Sequence, residues 1–382
     1  MKKEPFTDTD TIAAVKINHL VNAIQNKKHL LTSKKVTAGF DGFIDAIIKI
    51  IKKKQPQKTS LFTTIKEFGN YILEKEGTSF SLELEEQNKK LGGNMPIMAN
   101  ALGQMGITVN CIGALGYPQA DPIFKNLSSN CQLFSFTDPG ISTAYEFKDG
   151  KIMLAQMAEL NTTGWEKIKE LIGIDILNRL YKESDLLCLL NWSEIDASTD
   201  IWKGLLKDIL PVYSDKTKKQ IAFFDLSDCS KRSKESIIES LALIREFASH
   251  AKVTLSLNKN ESRIIYQSLF NKKSKKDLFF IGEKIFEKLA IESLVLHTAG
   301  EAIAFSHNEQ VKVDSFFTRE PKISTGAGDN FNAGFCAGQL LELDLESSLI
   351  LANAVSGCYI RKAISPQLPD IIHFLENIPA SN

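Results

Sequence analysis

Five short runs from residue 186 onward, 186–190, 221–226, 253–257, 294–297 and 302–305, are almost wholly apolar, and helix-patterned segments separate most of them. Short runs without a polar face suit strands buried on both sides, where helices cover a sheet from above and below. Such strands alternating with helices predict an α/β fold: a mostly parallel central sheet in three αβα layers. Chemistry then belongs at the carboxyl ends of the strands. The polar residues there are Asn191, then Asp225 and Asp228, then Asn258 and Glu261, then Thr298 and Gly300. Capping accounts for Asn191 and Asp225 without any ligand.

A chain of 382 residues that is 43% hydrophobic can build one large domain of this kind. Its 46 basic and 46 acidic residues cancel, so no global field points to nucleic acid or to a membrane surface. A small-molecule partner is expected instead. Six cysteines (111, 131, 188, 229, 336, 358) lie scattered without CxxC spacing. They read as buried thiols in a reducing, cytoplasmic setting. The start, MKKEPFTDTD, has no apolar leader segment, and no stretch approaches the ~20 apolar residues of a membrane span.

From the amino terminus, residues 1–34 predict a helical extension, with Ile12, Val15, Ile17, Leu20, Val21 and Ile24 at helical spacing. A packing or dimerising role suits it. Residues 35–382 form the main domain. A first strand at 36–40 runs into GFDGFIDAIIKI, which sets Asp41 and Asp45 among apolar neighbours. Carboxylates there suit either hydrogen bonds to sugar hydroxyls or a turn and a cap. The run 52–58 reads as a solvated loop, 61–74 as a helix, and 80–87 (FSLELEEQ) as a half-exposed strand of period two. Residues 143–154 predict a hairpin turning at Asp149 and Gly150. Segments near 46–60, 78–91 and 132–156 together predict a small β lid, whose exposed edge could pair with a second copy as a homodimer.

The stretch ISTGAGDNFNAGF, residues 323–335, sets Gly326, Ala327 and Gly328 at the start of a helix. Unpaired amides and the helix dipole make such a place an anion site. Asp329 beside it is placed to take a proton from a substrate hydroxyl, or else to cap a glycine turn. Upstream, LGGNMPIMANALGQMG at 91–106 puts Gly92, Gly93 and Asn94 ahead of a helix. Glycines there allow close backbone approach to a ligand, or serve a turn before a core helix. SLNKNESR holds an Asn258-x-x-Glu261 pair that also fits a helix cap.

The 323–335 stretch resembles the signature DTxGAGDxFxxGF of the ribokinase-like, or PfkB, carbohydrate kinases, and the other segments follow in that family's order over about residues 36–370. The resemblance implies a kinase with ATP as donor, Mg²⁺ as cofactor and a small sugar-like acceptor. It makes Asp329 the catalytic base, with Gly326, Ala327 and Gly328 as the anion hole. Asp45, with Asp41 second, would bind the acceptor with Gly92, Gly93 and Asn94. Asn258 and Glu261 match the family's NxxE motif, which acts on Mg²⁺ through water. Thr298 and Gly300 would line the nucleotide phosphates, and Asn353 would face the adenine. There are departures. Ile323 and Ser324 replace the signature's Asp and Thr, which puts monovalent-cation activation in question. Ile97 stands where the ribose-type pattern has Asn, with Asn94 and Asn100 nearby.

GFDGFIDA and GGNMPIMA also resemble the ADP-dependent sugar kinases of the same superfamily, so ADP is the alternative donor. A catalytically silent sugar or nucleotide sensor is the non-enzyme alternative, against which the intact Asp329, Gly328 and Glu261 stand. No Walker A pattern occurs, and no GxGxxG follows the first strand, which excludes a P-loop and a dinucleotide site of that type.

Overall fold

The computed structural model describes residues 8–55, 58–213 and 220–378. Residues 1–7 of the extension and 56–57 of the first lid segment lie outside these. The strands are β1 (Lys35–Phe40), β2 (Phe43–Gln55), β3 (Lys58–Leu61), β4 (Leu84–Gly92), β5 (Thr108–Gly113), β6 (Cys131–Ser135) and β7 (Gly140–Phe147). There follow β8 (Gly150–Gln156), β9 (Leu186–Leu190), β10 (Ile221–Asp225), β11 (Lys252–Asn258), β12 (Ser293–His297), β13 (Glu301–Ser306) and β14 (Gln310–Asp314).

Nine strands make the main sheet, in the order β14-β13-β12-β11-β10-β9-β1-β5-β6. From β12 to β6 every neighbouring pair is parallel. Helices cover both faces, so each central strand is apolar on both sides; in β9 every residue is buried. One face packs Leu187, Leu189, Phe224 and Leu255 under helices that bring Trp165, Trp202 and Ile281. The other packs Val36, Ala38, Cys188 and Val295 under helices Asn94–Gln104, Ala327–Leu340 and Leu345–Lys362. No helix among the described residues is long and apolar enough to cross a membrane.

The helix Asp8–Leu31 belongs to that second layer. It packs on helices Leu345–Lys362 and Leu368–Glu376, with Leu20, Ile24 and Leu31 fully buried. Lys27 Nζ donates to the carbonyls of Leu341 (3.0 Å) and Glu342 (3.2 Å), where helix Ala327–Leu340 ends. A cation at that end meets carbonyls that point out of the helix and the negative pole of the dipole. The Ile12 side chain lies outside the described residues.

The lid is a second sheet in the order β3-β2-β7-β8, with β4 also on β2. β2 pairs with β7 in parallel along one edge, and with β4 and then β3 antiparallel along the other. Helix Ile65–Glu74 closes one side over a separate small core of Ile50, Phe62 and Phe147, joined by Phe68 and Tyr71.

Three expectations change. Residues 52–55 are not a loop: β2 continues to Gln55, β3 begins at Lys58, and Lys52 and Lys54 pair with Glu67 and Glu83. The strand foreseen at 80–87 lies at Leu84–Gly92, because its register is fixed by β2, Phe43 facing Gly92. Both of its faces are open over much of its length, so the alternation of 80–87 records no buried side. Finally, β13 runs antiparallel to β12, and β14 continues that meander. The short link through Thr298 is a hairpin turn; a parallel return needs a dozen residues or more.

Candidate active site

The strand order reverses between β1 and β9, because β5 and β6 extend one way from β1 and β9 to β12 the other. A crevice opens outside the carboxyl ends at such a point. Asp41 and Asn191 meet there, Nδ2 of Asn191 donating to Oδ2 of Asp41 at 2.7 Å. The Asp41 carboxylate also accepts from the backbone N–H of Asn94 (2.7 Å) and Met95 (2.8 Å), capping helix Asn94–Gln104 from a distant strand. Asp41 is fully buried, and burial raises its pKa to about 6 against the pull of these three donors. Gly93 makes the approach possible. Its φ is +94°, and a Cβ there would fall 2.7 Å from Asp41 Oδ2.

Asp45 is placed differently. It lies half-buried on β2, in register with Lys90 on β4 and Ser142 on β7, its carboxylate packed over Gly92. Burial raises its pKa, and Lys90 and Lys151 oppose the shift. Asn94 sends its side chain the other way, Nδ2 to Oγ of Ser227 at 3.1 Å in the loop after β10.

The second loop docks against the first. Gly326 caps helix Ala327–Leu340 with φ +86°, and a Cβ on it would meet the Tyr359 hydroxyl at 2.8 Å and Ile97 Cγ2 at 3.2 Å. Ile97, the departure in the amino-terminal motif, is thus an apolar wall for the glycine loop. Tyr359 donates to the Thr325 carbonyl (2.9 Å) and Ser356 to that of Ala327 (3.0 Å), so helix Leu345–Lys362 braces the turn. The Ala327 N–H is taken by the Ser324 carbonyl at 3.2 Å and the Asn330 N–H by Gly326 at 3.1 Å. Gly328 and Asp329 remain as the first-turn amides able to hold an anion.

Asp329 is half-buried, and its pKa stands well above the carboxylate range. Burial is the main cause; the charges of Asp225, Asp41 and Glu261 add to it. Glu261 is likewise raised by burial and then by Asp225 and Asp228. It makes both the cap and the cluster: its carboxylate accepts from Asn258 N (2.8 Å) and Asn258 Nδ2 (2.5 Å), closing a capping box, while Asp225 and Asp228 face it. Asp225 accepts from Ser227 N at 2.9 Å and from Asn332 Nδ2 at 2.6 Å, and Asn332 in turn accepts from Ser256 Oγ at 2.7 Å. Burial raises the pKa of Asp225 as well, and buried carboxylates grouped in this way suit a hard cation. Among the described residues no group of three His, Cys, Asp or Glu side chains is placed to hold a metal ion directly.

Beside this cluster runs a cleft of about 600 Å³ lined by Asn258, His297, Thr298, Gly328, Phe331 and Asn353, among others. Thr298 holds the β12–β13 turn, its hydroxyl accepting from Gly300 N (3.1 Å) and Glu301 N (2.9 Å). Gly300 itself faces open space. The Asn353 amide is engaged by the fold, donating to the Asp314 carbonyl (3.2 Å) and accepting from Ser315 (3.3 Å). Asn191, Asp225, Asn332 and His297 join the site without any motif to announce them. For Asn191, Asp225 and His297 the signal was a place at a strand end; Asn332 carries none.

Residues 8–378 match the family model described as prokaryotic ketohexokinase. A ketohexokinase of Haloferax volcanii is 26% identical over 343 residues, covering 89% of this chain and 90% of that protein. Among solved structures, the Arabidopsis thaliana ribokinase complexed with ribose and ATP superposes with a TM-score of 0.64 at 15% identity, over 90% of this chain and 98% of that one. The Thermotoga maritima ribokinase gives 0.58 at 18%, over 90% and 99%. An E. coli protein described as a ribokinase II, in complex with ATP and Mg²⁺, gives 0.60 at 15%, over 90% and 99%. At these identities the structural likeness is one of fold.

Proposed function

The chain belongs to the prokaryotic ketohexokinase family and is a carbohydrate kinase, and from that premise we propose that it transfers the terminal phosphate of ATP to a hydroxyl of a ketohexose or close sugar analogue, with Asp329 as the base. The observation that carries this reading is the setting of Asp329. It stands in the first turn after a positive-φ glycine, next to Gly328 of the 600 Å³ cleft wall and within reach of the charges of Asp41, Asp225 and Glu261. A carboxyl with a raised pKa is a stronger base, matched to removing a hydroxyl proton near neutral pH. The amides of Gly328 and Asp329 would hold the transferred phosphate at the positive end of helix Ala327–Leu340.

Asp45 is the acceptor's ligand in this reading, since it faces Lys90 and Ser142 across the lid while Asp41 is committed to the helix cap. Asp225 and Glu261 would hold Mg²⁺ through water; the ion, when bound, neutralises charge on the donor's phosphates. Asn258 and Thr298 line the phosphate side of the cleft, and Asn353 shapes its far wall. ATP is preferred to ADP as donor because solved structures of this fold bind it, the Arabidopsis ribokinase and the E. coli protein among them.

The test is phosphotransfer by purified protein with Mg²⁺, ATP and ADP in separate reactions, over ketohexoses, aldoses, sugar acids and nucleosides. Asp329→Asn should lower kcat by a factor of ~10³ or more while sugar affinity stays within a few fold. Undiminished turnover in that variant removes Asp329 as the base. Turnover with ADP alone reverses the choice of donor.

A further inference from the structure

His297 ends β12 and lines the 600 Å³ cleft, and nothing in the motif pattern gives it a task. Its ring lies against Phe331, centroids 4.8 Å apart and 32° from parallel. Its Cε1 sits 3.4 Å from where a Cβ on Gly328 would fall, so the imidazole edge abuts the anion loop itself. Neither ring nitrogen is held by a hydrogen bond among the described residues, although the ring is pinned on both sides. Imidazole carries a donor and an acceptor, and an ordered ring without partners is preorganised for a ligand.

The charges around it say which ligand. Lys259 is the one cation lining the cleft among the described residues, whereas Asp225, Asp329 and Glu261 stand beside it. From the elements packed on the ring come Lys259 on helix Lys259–Phe270, Asp329 on helix Ala327–Leu340, and Glu301 on β13, already paired with Lys312 at 2.5 Å. Helix Leu345–Lys362 offers only the neutral Asn353 and Ser356. A polyphosphate entering this cleft meets one lining cation and several carboxylates, so each neutral donor beside the anion loop counts.

We propose that His297 is a further donor-binding residue, whose imidazole N–H hydrogen-bonds a phosphate oxygen of the nucleotide beside Gly328. This deepens the kinase reading above and rests on it for the identity of the ligand. Burial pushes the His297 pKa down to about 4, so the ring reaches the nucleotide as a neutral donor. A neutral N–H aimed at a phosphate oxygen is a charge-assisted bond.

The experiment compares His297→Phe, which keeps the aromatic contact with Phe331, and His297→Gln, which restores an N–H. KM for ATP is measured at saturating sugar, KM for the sugar at saturating ATP, and the affinity for a non-hydrolysable ATP analogue by calorimetry. The Phe variant should raise KM and Kd for the nucleotide about tenfold, with the Gln variant intermediate and the sugar KM within twofold of wild type. Nucleotide constants within twofold of wild type in both variants overturn the proposal. So does an equal rise in the sugar KM, which marks a merely structural role. Calorimetry needs no turnover: analogue binding lost in the Phe variant supports the contact even if no sugar is phosphorylated, the outcome that defeats the kinase reading. Should the Phe variant fail to fold, the Gln variant decides by the same comparison, an unchanged Kd overturning the contact.

Discussion

Asp41 and Asp329 are both carboxylates at helix amino termini, and they differ in what folding leaves free. Asp41 has three donors and no exposure, so it is a piece of the scaffold. Asp329 lacks such a set and sits among like charges, a setting that favours its protonated form. That has a sign. A carboxyl whose folded pKa is raised binds its proton more tightly folded than unfolded, so its contribution is present at low pH and lost as pH rises through the folded pKa. Asp329→Asn removes the group that must ionise. The ligand-free variant should therefore melt higher than wild type at pH 8, by a few degrees, and the gap should close toward pH 5. A gap that widens on acidification, in paired thermal melts, contradicts the raised pKa. At this scale the sequence was legible where partners are neighbours, as in the Asn258–Glu261 box; GGN and GAGD read as glycine turns before helices, but nothing local showed the Asp41 cap 53 positions away or the Tyr359 brace that hold them. The sequence was silent on Asn332, whose partner lies 107 positions away, and for His297 it gave a strand end but not the ring's neighbours, which arrive only when Phe331 and Gly328 fold over it.

At the scale of elements, helix Ala327–Leu340 depends on a turn held from outside. Gly326 takes a backbone conformation that costs a side-chain-bearing residue ~1 kcal/mol or more, and the Tyr359 hydroxyl fills the space where its Cβ would go. Gly326→Ala should cost about 2–3 kcal/mol in denaturant unfolding and weaken nucleotide binding, since the Gly328 amide moves with the turn. Tyr359→Phe should leave φ untouched and lose only the bond to Thr325, about 1 kcal/mol. If the two variants behave alike, strain at Gly326 is not what matters. The same scale shows where strand prediction succeeded. β9 to β12 were readable because burial on both faces leaves an unbroken apolar run. The lid hairpin at 143–154 was found as β7 and β8, but the strand at 80–87 was misplaced because solvent reaches both faces of β4, and pairing with β2 alone sets its ends. The direction of β13 was overlooked although the short link before it excludes a parallel return.

The whole molecule raises the question of what helix Asp8–Leu31 is for. A dimerising arm would keep its apolar stripe outside; here Leu20 and Ile24 are fully buried in the core that also holds Phe335 and Leu351, while Val15 is 62% exposed. The stripe is thus largely consumed within the chain. Fully burying a Leu or Ile side chain contributes about 1.5–3 kcal/mol, so Leu20, Ile24 and Leu31 together contribute an amount comparable to a typical domain's net stability. The helix also reaches the catalytic layer: Lys27 caps the end of helix Ala327–Leu340, whose other end carries Asp329. Leu20→Ala should therefore lower the unfolding free energy by about 2–5 kcal/mol, and Lys27→Ala by a smaller amount, about 1 kcal/mol. Neither should change KM for sugar or nucleotide below the melting transition, since neither side chain lines the cleft and Lys27 sits at the far end of that helix. Denaturant midpoints and steady-state constants on the same preparations separate the two effects. A Leu20→Ala protein that unfolds at the wild-type midpoint but sediments differently would return the helix to the role of a subunit contact.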